Sequence, residues 1–212
     1  MIMVCDDPET VEADLAAGRL RCPSCAGALR RWGWSTPRSV RTLSGERHLR
    51  PRRAHCPSCE VSPVLLPAWC LPRRRDAAEV VLSALAAKAG GDGHRRIAAR
   101  IGRPPGTVRG WLRRAVDMAE AIRATATSWA HALDPCLGPI EPSGSVLGDA
   151  VNALGTAIAA GVRRLGPSCE SEFAVRYGLG LLSPSGVALS PRPQQRRRPR
   201  SLRDDGPLRP SS

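Results

Sequence analysis

Apolar residues recur every three or four positions along much of the later chain and alternate with polar ones over a shorter stretch near its start. Ala77, Val80, Val81, Ala84 and Leu85 follow the spacing of an amphipathic helix, opened by a capping-box pattern at Asp76 and Glu79 and closed by Gly90 and Gly91. Ile97 and Ile101 lie one helical turn apart with small Ala98 between them. Gly102 then supplies a turn, and Pro104 and Pro105 suit the start of a new helix, where a missing N–H is an orphan anyway. That helix buries Val108, Trp111 and Leu112. Its stripe continues through Ala115, Ala119, Ile122, Ala126, Trp129 and Leu133, so the helix can run on to Asp134 and Pro135. A last periodic stretch, residues 146–165, carries Leu147, Val151, Leu154, Ile158, Val162 and Leu165. Nearer the start, Val11 and Leu15 mark a short helix over residues 8–17. Alternation predicts strands at 29–34, 40–43 and 48–55 with a turn at Ser44 and Gly45. Residues 61–71, punctuated by Pro63 and Pro67 and followed by Pro72, predict an extended connector that packs Val64, Leu65, Leu66 and Trp69.

The chain of 212 residues therefore divides into a helical lead-in (1–21), a β ribbon (22–60), a proline-rich basic connector (61–75), a three-helix unit (76–116), an alanine-rich helical region (117–181) and a tail (182–212). The expected class is mainly α with a small β ribbon. The tail, almost all Ser, Pro and Arg, has the composition of a disordered basic segment. The two long stripes suit an intramolecular helical hairpin or a homodimer through 108–165, and periodicity alone leaves both open.

A formal charge of +13 with aromatics at 3% points to an acidic polymer as partner, most commonly nucleic acid, with a membrane surface as the rival. Nearly all of the positive charge is arginine, Lys88 being the one lysine. The start, MIMVCDDPET, turns acidic before an apolar run of secretory length develops. Residues 146–165 are interrupted by Asp149, Asn152 and several glycines, unlike a membrane span. A cytoplasmic, nucleoid-associated protein is the expectation.

Two identical tetrapeptides, Cys22-Pro-Ser-Cys25 and Cys56-Pro-Ser-Cys59, carry the clearest chemistry. Each C-x-x-C can curl both sulfurs toward one point, and two such knuckles supply four thiolates for one tetrahedral Zn²⁺. Gly27 is expected to provide the positive φ that turns backbone N–H groups toward the sulfurs. A redox C-x-x-C would sit once, on a strand-to-helix junction, and would not recur as a matched pair. With every position filled by sulfur, no site remains for a catalytic water, so the zinc is expected to be structural. His55, beside Cys56, could substitute for a ligand or hydrogen-bond a sulfur. Cys5 reads as a free thiol and Cys70 as a buried one, while Cys136 and Cys169 receive no role.

The outward face of the helix beginning near Pro105 would present Thr107, Arg109, Gly110, Arg113 and Arg114. Hydroxyl and guanidinium groups there can reach phosphates or guanine edges, and small Gly110 allows close approach to a groove. The alternative is a solvated basic face. Arg103 in the turn, Arg73, Arg74 and Arg75 ahead of the first helix, and Arg50, Arg52 and Arg53 on the ribbon are candidates for backbone contacts. The ribbon also carries Arg30, Arg31, Arg38, Arg41 and Arg47, a surface suited to phosphates or simply to water.

Ala98, Gly102 and Val108 have the offsets that bacterial helix-turn-helix units show at their contact alanine, turn glycine and buried aliphatic, so this unit resembles that family of DNA readers. The order of zinc ribbon, proline-rich connector and IAARIGRPPGTVRGWLRR also resembles the N-terminal DNA-recognition region of bacterial insertion-sequence transposases, and transposase-like zinc-ribbon proteins of GC-rich bacteria. The resemblance spans roughly residues 11–114. It implies Cys22, Cys25, Cys56 and Cys59 as metal ligands and double-stranded DNA as partner. Such transposases carry three catalytic carboxylates on a mixed sheet. Here Asp117, Glu120, Asp134, Glu141, Asp149, Glu170 and Glu172 are scattered through alanine-rich sequence, so catalysis is not carried over and no enzyme is expected. The expected function is zinc-stabilised, sequence-specific DNA binding, as a transposon-associated protein or a transcription regulator. The rival is an adaptor whose ribbon and helical hairpin bind a transposase or polymerase subunit.

Overall fold

Six helices and six short strands make up residues 1–166, the part of the chain described by the computed structural model. The expected tail, Cys169 and the end of the alanine-rich region lie outside the described residues. A mainly helical fold with small sheets is the architecture found, and no helix of the described residues is long and apolar enough to cross a membrane.

The N-terminal body is built around a small core. Strand β1 (Ile2–Val4) leads into helix α1 (Pro8–Ala16), whose N-cap Asp7 accepts hydrogen bonds from the N–H groups of Glu9 and Thr10. Proline at the first helical position needs no such partner. Val11 and Leu15 project from α1 onto Leu29, Ala54 and Leu65, with Cys22 and Cys56 at the edge of the same cluster. This small core includes Cys22 and Cys56, while Val40 and Leu66 from the same body pack into the larger core of the helices.

Strands β2 (Arg30–Trp34), β3 (Arg38–Arg41), β4 (Glu46–Leu49) and β5 (Arg52–His55) form one long interrupted hairpin, with the antiparallel β3–β4 pair nested inside the antiparallel β2–β5 pair. The third expected strand is thus two strands, divided at Arg50 and Pro51. Proline has no N–H to give a ladder, and at this break the Pro51 carbonyl instead accepts from the Ser35 N–H at 2.8 Å. The connector also forms a strand, β6 (Leu65–Pro67), which pairs in parallel with β1. Neither partner is long enough to announce itself through alternation.

The remaining helices are α2 (Ala78–Ala89), α3 (His94–Ile101), α4 (Pro105–Asp117), α5 (Ala119–Leu133) and α6 (Val146–Leu165). Val80, Val81, Ala84 and Leu85 from α2, Ile97 and Ala98 from α3, and Val108, Trp111 and Leu112 from α4 close on a common core. Between α3 and α4 the chain reverses at Gly102, whose φ of 62° and ψ of 43° are left-handed. Lacking a Cβ, glycine takes that conformation without steric cost.

Two local expectations are corrected by the fold. The continuous helix from Pro105 toward Asp134 is interrupted at Met118, where φ and ψ of −104° and 3° leave helical geometry and α5 begins anew. The capping box is absent: Ala77 is the N-cap of α2 and no side chain caps it. Asp76 instead faces Arg41 and Arg103, while Glu79 accepts from the Leu43 N–H of the β3–β4 turn. Bonds to guanidinium ions are roughly twice as strong as neutral ones and outcompete a cap.

The stripe of α5 meets the stripe of α6 within the same chain. Ala119, Ile122, Ala126 and Ala130 pack with Leu147, Ala150, Leu154, Ala157 and Ile158 in one continuous core with the helices before them. Small alanines let the two helices approach closely. The intramolecular hairpin therefore covers most of the stripe, leaving Leu165 exposed at its end.

Candidate metal centre and basic surface

The two C-x-x-C knuckles lie at opposite ends of the long hairpin in sequence and meet in space because β2 and β5 pair. Each knuckle repeats the same backbone pattern. The Ala26 N–H donates to the Cys22 carbonyl at 2.9 Å and the Glu60 N–H to the Cys56 carbonyl at 2.8 Å. The Cys22 N–H donates to the Gly27 carbonyl at 2.8 Å, and the Cys56 N–H to the Val61 carbonyl at 3.0 Å. Ala26 and Glu60, the residues following each second cysteine, both take positive φ, at 61° and 60°.

This two-fold repetition brings Sγ of Cys22 to 3.5 Å from Sγ of Cys59, and Sγ of Cys25 to 3.4 Å from Sγ of Cys56. All four sulfurs lie within 4.8 Å of one another. A tetrahedral ion with sulfur at about 2.3 Å requires sulfur–sulfur separations of about 3.8 Å. The four cysteines are thus close enough to hold one metal ion, and among the described residues they are the one such group of His, Cys, Asp or Glu side chains.

Backbone N–H groups surround the sulfurs. Burial raises the Cys22 thiol, but the N–H groups of Ser24 and Cys25 and the neighbouring cysteines bring it down to about 6. Cys56 is lowered in the same way, its burial outweighed by the N–H groups of Ser58 and Cys59 and by the sulfurs of Cys25 and Cys59. Cys25 and Cys59 are raised: the Gly27 and Val61 N–H groups favour their thiolates but are outweighed by the adjoining sulfurs and burial. Four sulfurs this close cannot all ionise without a cation between them.

Gly27 does serve the site, though by a different property from the one expected. The left-handed turn falls on Ala26, whereas a Cβ at position 27 would stand 2.9 Å from Oγ of Ser58 and 3.3 Å from the sulfurs of Cys25 and Cys56. Glycine is needed for room. Gly27→Ala should therefore lower metal affinity on the order of tenfold, measured by competition with a chromophoric chelator; unchanged affinity would mean the knuckle absorbs the methyl group.

His55 donates to or accepts from Ser62 at 3.3 Å and stacks with Trp32 at 4.9 Å, so it belongs to the strand surface and stands apart from the sulfur cluster. Cys5 lies near the Asp7 carbonyl at 3.5 Å. Burial, with Asp6, pushes the Cys70 thiol up to about 12 against the pull of Arg38 and Arg47.

The candidate DNA contacts separate into three groups. On α4, Arg109, Gly110 and Arg113 are exposed on the side away from Val108, Trp111 and Leu112, while Thr107 and Arg114 are half-buried. Arg73, Arg75 and Arg50 are exposed, and Arg74 and Arg53 are half-buried. Arg103 and Arg52 are engaged inside the protein. Arg103, with a side chain 11% exposed, bonds Asp76 at 2.6 Å and donates to the Thr42 carbonyl at 3.1 Å. Arg52 pairs with Glu12 at 2.7 Å and lies over the Trp34 ring at 4.7 Å.

The Asp76 node was not expected from the sequence. Its carboxylate, 5% exposed, receives Arg41 at 2.8 Å and Arg103 at 2.6 Å. Around it the Arg41 N–H donates to the Arg75 carbonyl and the Ala77 N–H to the Arg41 carbonyl. The hairpin and the turn between α3 and α4 are thereby fastened to one carboxylate. A single acid directly after three arginines was its only sequence trace. Compared with family models, curated proteins and solved structures, the chain matches none.

Proposed function

We propose that this protein is a zinc-stabilised, sequence-specific DNA-binding protein. The observation that carries this reading is the α3–turn–α4 unit, in which α4 buries Val108, Trp111 and Leu112 and leaves Arg109, Gly110 and Arg113 facing solvent. An exposed helix with guanidinium groups one turn apart suits a major groove, where arginine pairs with the O6 and N7 atoms of guanine. Among the described residues nothing would lie within 4 Å of a Cβ at position 110, an openness that permits the helix axis to lie close to the base edges. Zinc is the metal the all-sulfur set favours, and a site closed by four protein ligands is structural. On this reading the protein would serve a mobile element or regulate transcription.

Selection of bound duplexes from a random pool, with zinc measured in the same preparation, tests this directly. On the selected site Arg113→Ala should cost about 1–3 kcal/mol and blur preference at the contacted base pair. Equal loss on selected and random duplexes would remove base reading from Arg113.

A second reading is favoured by one feature: an apolar groove of about 290 Å³, lined by Val4, Val11, Trp34, Leu49, Leu65 and Pro67. Such a groove suits the adaptor role, with a protein as partner. Salt separates the two, because binding through several phosphates weakens steeply as salt rises and apolar docking does not.

A further inference from the structure

Beside α4, a second basic feature is built from elements far apart in sequence. An open cleft of about 560 Å³ runs between the start of β3 and the loop ahead of α2, lined by Arg38, Ser39, Arg73, Arg74 and Arg75, with Glu46 as its one carboxylate among the described residues. Its two walls are joined, since the Arg38 guanidinium donates to the Arg74 carbonyl and the Arg41 N–H donates to the Arg75 carbonyl at 2.7 Å. Arg73 holds a left-handed backbone at φ 57°, an uncommon conformation for a residue with a side chain.

Positive charge predominates among the described residues around this cleft. Burial depresses the half-buried Arg74 guanidinium, and Arg114 of α4 depresses it further, with Asp76 opposing them. Asp76 already receives both Arg41 and Arg103. Glu46 is exposed at the rim. Four arginines lining one open cleft, with a fifth on α4 close enough to be felt, form a setting suited to an anion with several acceptor oxygens.

We infer that this cleft seats one backbone phosphate of the duplex that α4 reads, held by Arg38, Arg73 and Arg75 and lying alongside Arg114. The inference rests on the DNA-binding reading and adds to it a fixed register: α4 enters a groove while the phosphodiester flanking that groove settles in the cleft. Such a phosphate carries no base preference and sets the angle of the helix. It also joins the β hairpin and the three-helix unit in one footprint.

The test uses Arg73→Gln/Arg75→Gln, both at exposed positions, in the full zinc-loaded chain, with melting in phosphate-free buffer to verify folding. Duplex affinity should fall on every sequence alike, sequence preference should persist, and the slope of log K against log salt should shrink by about 0.9, the contribution of the one phosphate that the variant no longer neutralises. Separately, inorganic pyrophosphate should raise the melting temperature of the wild type and not that of the variant. Duplex binding with an unchanged salt slope in a folded variant overturns the inference while leaving the DNA reading intact. If the wild type ignores every duplex yet pyrophosphate still protects it through Arg73 and Arg75, the DNA reading fails, and a duplex as the source of the phosphate fails with it.

Discussion

On the zinc proposal, removal of the metal with a strong chelator at neutral pH should unfold the long hairpin and its knuckles cooperatively, as loss of strand signal in circular dichroism and full reactivity of Cys22, Cys25, Cys56 and Cys59 toward a thiol reagent. The physical reason is the size of the core beneath them. Val4, Val11, Leu15, Leu29, Ala54 and Leu65 are its main apolar members, and a fully buried aliphatic side chain contributes about 1.5–3 kcal/mol, against an ordering entropy of about 1–2 kcal/mol for every backbone residue fixed. Structural zinc in small domains supplies about 10–16 kcal/mol near neutral pH, which turns that balance. Cys56→Ser, at a completely buried ligand, should give the same unfolded hairpin without any chelator. Acidification should act in the same direction, since each cysteine binds as thiolate and protons compete with the metal as pH falls. α3 and α4 should keep their helical signal longer than the hairpin, because their core of Ile97, Ala98, Val108 and Leu112 does not involve the four sulfurs. Identical melting curves with and without chelator would exclude a folding role for the metal.

Asp76→Ala should destabilise the chain by about 3–5 kcal/mol, the range for leaving a buried charge without its partner. Two guanidinium groups lose their shared acceptor, and Arg103 has the less room to escape, being 11% exposed against 37% for Arg41. Arg74, already disfavoured by burial and by Arg114, loses a group that opposed them. Urea unfolding followed by tryptophan fluorescence measures the shift. Arg103→Met should cost less than Asp76→Ala, because it removes a charge and leaves Asp76 with Arg41. In the double variant the losses should fall well short of their sum, as they do for groups in one network. Additive losses would show that Asp76 and Arg103 act separately. On the DNA-binding proposal, both single variants should also weaken duplex affinity, because the same carboxylate fastens the hairpin against the turn that orients α4.

The sequence was most informative wherever the physical signal is local. A C-x-x-C knuckle needs only four residues to aim two sulfurs, and its exact recurrence at Cys22 and Cys56 was enough to foretell the cluster of four. Helical periodicity likewise located α2, α3 and α6, because an amphipathic stripe is written into one segment. Gly102 marked its own turn. Even so, the local rules misread several places. Met118 breaks a stripe that continues in register on both sides, Pro51 divides a strand that alternation had joined, and Gly27 serves by its missing side chain near Ser58, with the positive φ one residue earlier.

What the chain by itself determined, then, is which segments become helices and strands and which sulfurs belong together, since these follow from spacings of two to seven residues. Only the tertiary structure decided what those segments are fastened to. Asp76 and Glu79 carry the spacing of a cap, yet they bond Arg41, Arg103 and Leu43, up to 36 residues away. β1 acquires a partner in β6 across the whole hairpin, and the stripes of α5 and α6 close on each other in one chain. A side chain binds the strongest partner that folding brings within reach, and that partner is chosen by the approach of distant elements, which no local spacing records.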